Sequence, residues 1–168
     1  LSSVDERAVA LVPCTAEDFE AYYAIRCGKP DIYWMGYTSA PDKDAIRGIF
    51  MERLGTVDLA QEGSRKIYML KAGESTAGWL MLSNLSDGVE VGISLAEDWL
   101  GRGLGTEAIR LIKPHAVELG KVVYAQIRDD NVASQRIFLK NGFERTDSYV
   151  VKDYPVAGEV KFRRYEYR

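Results

Sequence analysis

The stretch Glu90 to Gly105, EVGISLAEDWLGRGLG, carries the densest chemical signal in the chain. A strand that runs into Gly101-x-Gly103-x-Gly105 and then opens a helix is built to cradle phosphate. Glycines let the backbone approach the anion, and the free amides of a helix N-terminus point at it with the favourable end of the dipole. Such turns also arise for purely conformational reasons, so the loop alone leaves both readings open. Two familiar phosphate loops are excluded. The glycine spacing is not GxGxxG, because Thr106 occupies the sixth position, and about 20 residues downstream stands Gln126 rather than an acidic residue for a ribose. A Walker loop needs Gly-Lys-Ser/Thr, which is absent.

A second constellation spans Asp130 to Phe143, DNVASQRIFLKNGF. On a helix, Asn131, Ser134 and Phe138 fall at i, i+3 and i+7, along one stripe. Asn131 equally fits a plain N-cap and Ser134 an exposed filler. Asn141–Gly142 is a helix stop under either reading.

The elements that must hold these residues follow from periodicity and punctuation. Ala8 to Pro13 reads as a first strand. Thr15 and Asp18 form a capping box for a helix through Phe19, Tyr22, Tyr23 and Ile25, ending near Gly28–Lys29–Pro30. Asp31 to Tyr37, DIYWMGY, has neither helical nor strand period and reads as a loop or a short turn with a function. Pro41 and Asp42 open a second helix carrying Ile46, Ile49, Phe50 and Leu54. Lys66 to Ala72, Ala77 to Leu82 and Val89 to Leu95 form a meander. After the glycine loop come a helix from about Thr106 to Leu119, a strand from Lys121 to Arg128 and a helix from Val132 to Lys140. Phe143 to Val151 and Glu159 to Tyr167 close as an antiparallel pair. Pro114, inside the cofactor-side helix, is expected to remove a bond to the Arg110 carbonyl and kink it. This order predicts an α/β (mixed α+β) domain covering residues 1–168. Its central sheet is expected to be mostly antiparallel and twisted, of about six to seven strands flanked by about four helices.

Taken together, the two chemical stretches resemble the coenzyme-A-binding motif and the following Asn-containing helix of the GNAT superfamily of N-acetyltransferases. The resemblance is strongest to the branch that includes the ribosomal-protein N-terminal acetyltransferases. It is carried by Glu90–Val91–Gly92, Trp99, Thr106–Glu107–Ala108, Asn131 to Ser134 and Lys140–Asn141–Gly142–Phe143, over roughly residues 76 to 145 with order and spacing kept. Leu100 stands where the superfamily loop commonly has Gln or Arg. Phe138 stands where many members have a Tyr that protonates the leaving thiolate, and a phenyl ring has no proton to give.

The resemblance implies acetyl transfer from acetyl-CoA to a primary amine by direct attack, with no acyl-enzyme and no metal. Cofactor contacts are expected from Ile93, Ser94 and Leu95, from Gly101, Arg102, Gly103, Leu104, Gly105 and Thr106, and from Asn131, Ser134 and Phe138. A backbone amide near Ile93 to Leu95 would take the charge of the thioester oxygen, and Ser134 would hydrogen-bond the sulfur. An aliphatic ammonium must lose a proton before it attacks. Glu90, on one strand face with Gly92 and Ser94, is the candidate base, ahead of Asp129 and Asp130. Tyr33, Trp34 and Tyr37 are candidates for the acceptor pocket, with Arg26 and Asp31 beside them and Tyr149 and Tyr154 on the far side. A rival reading is a non-catalytic acyl-CoA-binding or partner-binding domain on the same fold.

Composition narrows the partners. The chain has 168 residues, 46% hydrophobic and 28% charged, and a formal net charge of −3 with no large basic cluster. That balance points away from nucleic acid, and no apolar run reaches the ~20 residues of a membrane span. Cytoplasmic placement, a small-molecule or peptide amine as partner, and a monomer or homodimer are the expectations. The mild negative charge suits a cationic small amine, but −3 is too little to choose among acceptors. Cys14, Cys27 and His115 have no metal-site spacing.

Overall fold

The computed structural model describes residues 9–168; Ala8, at the head of the expected first strand, lies outside them. One seven-stranded sheet organises the described chain, in the order β1-β2-β3-β4-β5-β7-β6. Its strands are β1 (Val9–Pro13), β2 (Arg65–Ala72), β3 (Ser75–Leu85), β4 (Gly88–Leu95), β5 (Val123–Arg128), β6 (Glu144–Tyr154) and β7 (Gly158–Tyr167). Every neighbouring pair is antiparallel except β4 and β5. Five helices accompany the sheet: α1 (Phe19–Arg26), α2 (Lys29–Trp34), α3 (Lys43–Met51), α4 (Leu104–Val117) and α5 (Val132–Lys140).

The period of two along the central strands divides the core into two. Tyr68 and Leu70 of β2, Leu80 and Leu82 of β3, and Val89 and Val91 of β4 pack with Leu104, Ile109 and Ile112 of α4. The alternate residues Ile67, Met69 and Trp79 pack with Phe19 and Tyr22 of α1 and with Ile46 and Phe50 of α3. Phe50 is wholly buried, against Tyr22 at 4.9 Å and Phe19 at 5.5 Å between ring centroids. Helices therefore cover both faces, and β4 turns Glu90, Gly92 and Ser94 toward the α1 side, opposite Ser83, Met81 and Trp79 of β3.

The aromatic stretch after α1 is a helix, not a loop. Gly28 caps α2 in an extended conformation and Pro30 lies in its first turn, so the proline expected to end one helix begins another. Six residues are too few for a 3.6-residue period to declare itself. The helix α4 also runs on through Pro114, which sits in its last turn, where the Glu118 N–H closes onto the Pro114 carbonyl. Near a C-terminus the proline costs the helix one bond and does not end it.

Charged groups pin α2 to the sheet. Arg26 Nε lies 3.2 Å from Asp31 Oδ2, both side chains being buried, and Arg26 donates to the Tyr22 hydroxyl at 2.9 Å. Ser94 Oγ of β4 donates to Asp31 Oδ1. At the other end of α2, Arg128 of β5 donates to the Tyr33 carbonyl at 3.1 Å and lies under the Tyr33 and Trp34 rings. Tyr154 packs over Gly36, just beyond the helix.

Two stability predictions follow from these contacts. A Cβ on Gly78 would stand 2.5 Å from the Ser94 carbonyl oxygen, a backbone atom that cannot step aside without moving β4. Gly78→Ala is expected to cost about 1–3 kcal/mol in urea unfolding. Burial pushes the Asp31 carboxyl from 3.8 up to about 7, and Arg26 draws it back only in part. The native chain then holds a proton that the unfolded chain releases between about pH 4 and pH 7, so this contribution to stability is present at the acidic end and lost as pH rises. Wild-type protein is expected to lose more stability than Asp31→Asn across that window, measured by urea unfolding at both ends. Equal losses would remove Asp31 from the account.

Candidate functional site

The parallel pair β4 and β5 is joined only at Val89↔Val123 and Glu90↔Tyr124. Beyond that point β4 continues to Leu95 alongside β3, and β5 continues to Arg128 alongside β7. The two strands part, and the edge of β4 past Glu90 has no strand partner on the β5 side. A cavity of about 660 Å³ occupies the wedge, with Val91, Gly92, Ile93, Ser94 and Leu95 along its floor. At the rise of a strand, Glu90 and Leu95 stand roughly 17 Å apart along it.

One end of the cavity is made by the glycine loop and α5, through Leu100, Gly101, Asn131, Ala133, Ser134 and Ile137. The three glycines of the loop have two different jobs. Gly101 at φ 72° and Gly103 at φ 77° take the left-handed conformation that carries the turn. Gly103 is also the N-cap of α4, and no side-chain cap competes for the amides of the first turn. Gly105 instead admits Ile137 of α5, whose side chain fills the place of a Cβ. The helices are clamped there by Asn141, whose Nδ2 donates to the Thr106 carbonyl at 3.1 Å and to the Ile137 carbonyl at 2.9 Å. Lys113 donates in turn to the Asn141 carbonyl at 2.7 Å. Arg102 is exposed, its guanidinium 4.8 Å from the Trp99 ring centroid, and the Leu104 side chain is buried in the core.

The expected stripe on α5 divides. Asn131 Oδ1 accepts the Ser134 N–H at 3.1 Å, so Asn131 is the N-cap of α5 as well as a wall of the cavity. Ser134 also faces the cavity, but Phe138 does not. Its ring is 2% exposed and meets Phe143 edge-on at 5.0 Å, inside the core. A residue at i+7 lies two turns deeper along the helix, past the cavity and under the sheet. The Phe138 side chain is therefore corrected from a cofactor contact to a core residue.

The far end is lined by Glu90, Arg65, Trp79, Met81, Gln126 and Lys152. Burial raises the Glu90 carboxyl above its ordinary 4.5, against the pull of Lys152 and Arg65. The other two carboxylates proposed as bases are placed differently. Asp130 is engaged by Arg128 Nε and Nη2 at 3.0 and 3.1 Å and by the Tyr33 hydroxyl at 3.1 Å. Desolvation pushes Asp130 up, but these bonds outweigh it and hold the carboxyl below 3.8. Asp129 is exposed and, like Asp130, is not on the cavity wall.

Of the aromatic candidates for the acceptor side, Trp34 lines the cavity together with Pro30, Asp31 and Met35. Tyr33 is 54% exposed because α2 turns only one face to the sheet, and Tyr37, beyond the end of α2, is 46% exposed. Arg26 is buried behind Asp31. Tyr149 is exposed beside Lys161 and Arg163, and between it and Tyr154 the strand β6 sends Lys152 inward instead.

Trp79, Gln126, Arg65 and Lys152 were not legible from motifs. Register places Arg65 across from Ser83 and Ser83 across from Glu90, so pairing the strands would have found Arg65. Trp79 Nε1 and Gln126 Oε1 are buried and make no hydrogen bond among the described residues. Neither cysteine nor histidine chemistry reaches the cavity. Burial pushes the Cys14 thiol up to about 11, and His115 tilts over Tyr68 on the α4 side. Among the described residues no cluster of His, Cys, Asp and Glu is placed to hold a metal, and no helix is long and apolar enough to cross a membrane.

Solved structures share this fold across nearly the whole chain. The acetyl transferase from Salmonella typhimurium that modifies the N-terminal serine of 50S ribosomal subunit protein L7/L12 is 17% identical, with a TM-score of 0.74 over 95% of this chain and 94% of that one. Spermidine N-acetyltransferase from Vibrio cholerae, in complex with CoA and spermine, is 13% identical, with a TM-score of 0.77 over 96% and 95%. Aminoglycoside acetyltransferase AAC(6')-Ib, in complex with coenzyme A, is 20% identical, with a TM-score of 0.70 over 93% of each chain. At such identities the likeness is one of fold, and the three acceptors are chemically unlike. No curated protein sequence matches the chain. The acetyltransferase (GNAT) domain family matches residues 9–144, covering both the glycine loop and the wedge, and the chain belongs to that family.

Proposed function

We propose that the protein transfers an acetyl group from acetyl-CoA to a primary amine by direct attack on the thioester. The observation that carries this reading is the wedge between β4 and β5. It joins the glycine loop ahead of α4, at Leu100 and Gly101, to a half-buried carboxylate, Glu90, at the other end. Spermidine N-acetyltransferase and the aminoglycoside acetyltransferase both hold CoA on this fold.

In this reading the amides of α4 after Gly103 take the pyrophosphate, and Gly101 lets the backbone close on it. The pantetheine arm lies along the free edge of β4 from Ile93 to Leu95, with Asn131 and Ser134 opposite. An edge amide there stabilises the charge that develops on the thioester oxygen. Glu90 accepts one proton of the ammonium, directly or through water, and the neutral nitrogen adds to the thioester carbonyl. The tetrahedral adduct then collapses with loss of the C–S bond, and the second nitrogen proton passes through water to the departing thiolate. Phe138 supplies no acid. A thiol with a pKa near ~8.5 leaves tolerably as thiolate, and a hydrogen bond from Ser134 assists it.

The reading is tested first by calorimetric titration with acetyl-CoA. Wild-type protein is expected to bind, and Gly103→Trp, with unchanged circular dichroism, is expected not to. A folded wild-type protein that does not bind overturns the proposal. Binding without thiol release on any amine supports the rival, a non-catalytic acyl-CoA-binding domain.

Glu90→Gln is expected to lower kcat by about 10²–10⁴-fold. Because burial raises the Glu90 carboxyl, kcat/KM should rise with pH along a limb centred above 4.5, and that limb should vanish in Glu90→Gln. An unaltered profile would remove Glu90 as the base.

A further inference from the structure

The acceptor end of the cavity has a local charge opposite in sign to the net charge of the chain. Arg65 and Lys152 both line it, and neither has a carboxylate partner within 4 Å among the described residues. Arg65 reaches only the Ser83 hydroxyl, at 3.0 Å, and Lys152 lies 4.5 Å from the Phe162 ring centroid. A third cation stands behind them. Arg53 Nη1 touches the sulfur of the lining Met81 at 3.3 Å, and burial together with the Arg65 charge lowers its pKa. Against these three stands Glu90 alone, since Asp31 is already matched by Arg26.

The polar atoms Trp79 Nε1 and Gln126 Oε1 are buried and shut off from the cavity, so they do not enter its charge balance. The pocket therefore offers two cations without carboxylate partners (Arg65 and Lys152) and one carboxylate (Glu90). That is the complement of a molecule carrying both an anion and an ammonium.

Building on the acetyltransferase reading, we propose that the acceptor is a small amine bearing an anionic group, a carboxylate or a phosphate. Arg65 and Lys152 hold the anion, and the amine of the same molecule faces Glu90. Cations held near one another in a half-buried site repel, and an anion relieves that repulsion, whereas a polycation adds to it. The net charge of −3 sums the whole chain and does not describe this pocket. Polyamines and aminoglycosides, the acceptors of two structural neighbours, are thereby disfavoured.

The test is a panel of amines with acetyl-CoA, read by release of free thiol. It contains free α-amino acids, the same amino acids as carboxamides, phosphoethanolamine, spermidine and an aminoglycoside. Anionic members are expected to exceed their carboxamides by about tenfold or more in kcat/KM, the scale of one charge-assisted hydrogen bond. Which of the amino acids and phosphoethanolamine turns over faster separates the carboxylate from the phosphate source. Lys152→Gln, on an exposed edge strand where the fold is not at risk, is expected to raise KM for the anionic acceptor about tenfold. Arg65→Gln should do the same, and KM for acetyl-CoA should hold in both.

Carboxamides or spermidine as the preferred acceptors would overturn the proposal, as would an unaltered acceptor KM in both variants. If no amine turns over, the same panel is titrated calorimetrically into protein saturated with CoA. Binding of anionic amines that Lys152→Gln weakens then supports the anion site while the enzymatic reading fails, and absence of such binding overturns the anion site.

Discussion

The separation of β4 from β5 after a two-residue contact is the constraint on which the rest of the site depends. Paired to their ends, the two strands would satisfy each other's backbone groups and leave no wedge. Each is instead held on its outer side, β4 by eight registered pairs with β3 and β5 by six with β7. Gly78 keeps the β3 backbone free of a Cβ that would press on the Ser94 carbonyl of β4. The opening is thus set by the sheet on either side of it and not by a flexible loop. Sheet-borne walls hold geometry better than loops do, which suits a site that must align a thioester with a nucleophile.

Helix α2 closes this wedge over the sheet face, and it is held by charges. The Arg26–Asp31 pair, the Ser94 hydroxyl and the Arg128 guanidinium tie a six-residue helix to strands on both sides of the gap: β4 through Ser94 and β5 through Arg128. So short a helix has almost no stability of its own and depends on such docking. Buried ion pairs contribute little net stability but strongly penalise alternatives that break them. They suit an element whose task is to be in one place.

Legibility in the sequence followed the physics of each signal. The meander, α4, α5 and the final hairpin were readable because each has a period, a cap or a turn residue within a few positions. The aromatic segment that became α2 was not, because its six residues lie below one full amphipathic repeat and its start signal, Pro30, also reads as a stop. The walls at the loop end were readable for the same reason the helices were: Gly101 lies in a glycine turn and Asn131 and Ser134 in a capped first helical turn, each determined by its own few residues. Phe138 was misplaced because a stripe on a helix says which residues share a face and not how far along that face the cavity reaches. Arg65, Trp79, Gln126 and Lys152 come from four different strands and meet only through sheet register, a non-local quantity that no short motif encodes.

The hairpin β6–β7 shows what that non-local information does. Most of β6 is exposed, with Tyr149, Val150 and Val151 facing outward on an edge of the sheet, and judged by burial it adds little to the core. Yet it crosses back beside the wedge and brings Lys152 to the wall opposite Arg65, while its Tyr154 packs over the turn after α2. The strand is better understood as a carrier of one charge and one ring than as a structural layer. The two ends of the cavity then answer to different parts of the chain. The loop end is built from two short segments of the family domain, residues 100–101 and 131–137, whereas the far end draws Lys152 from beyond residues 9–144.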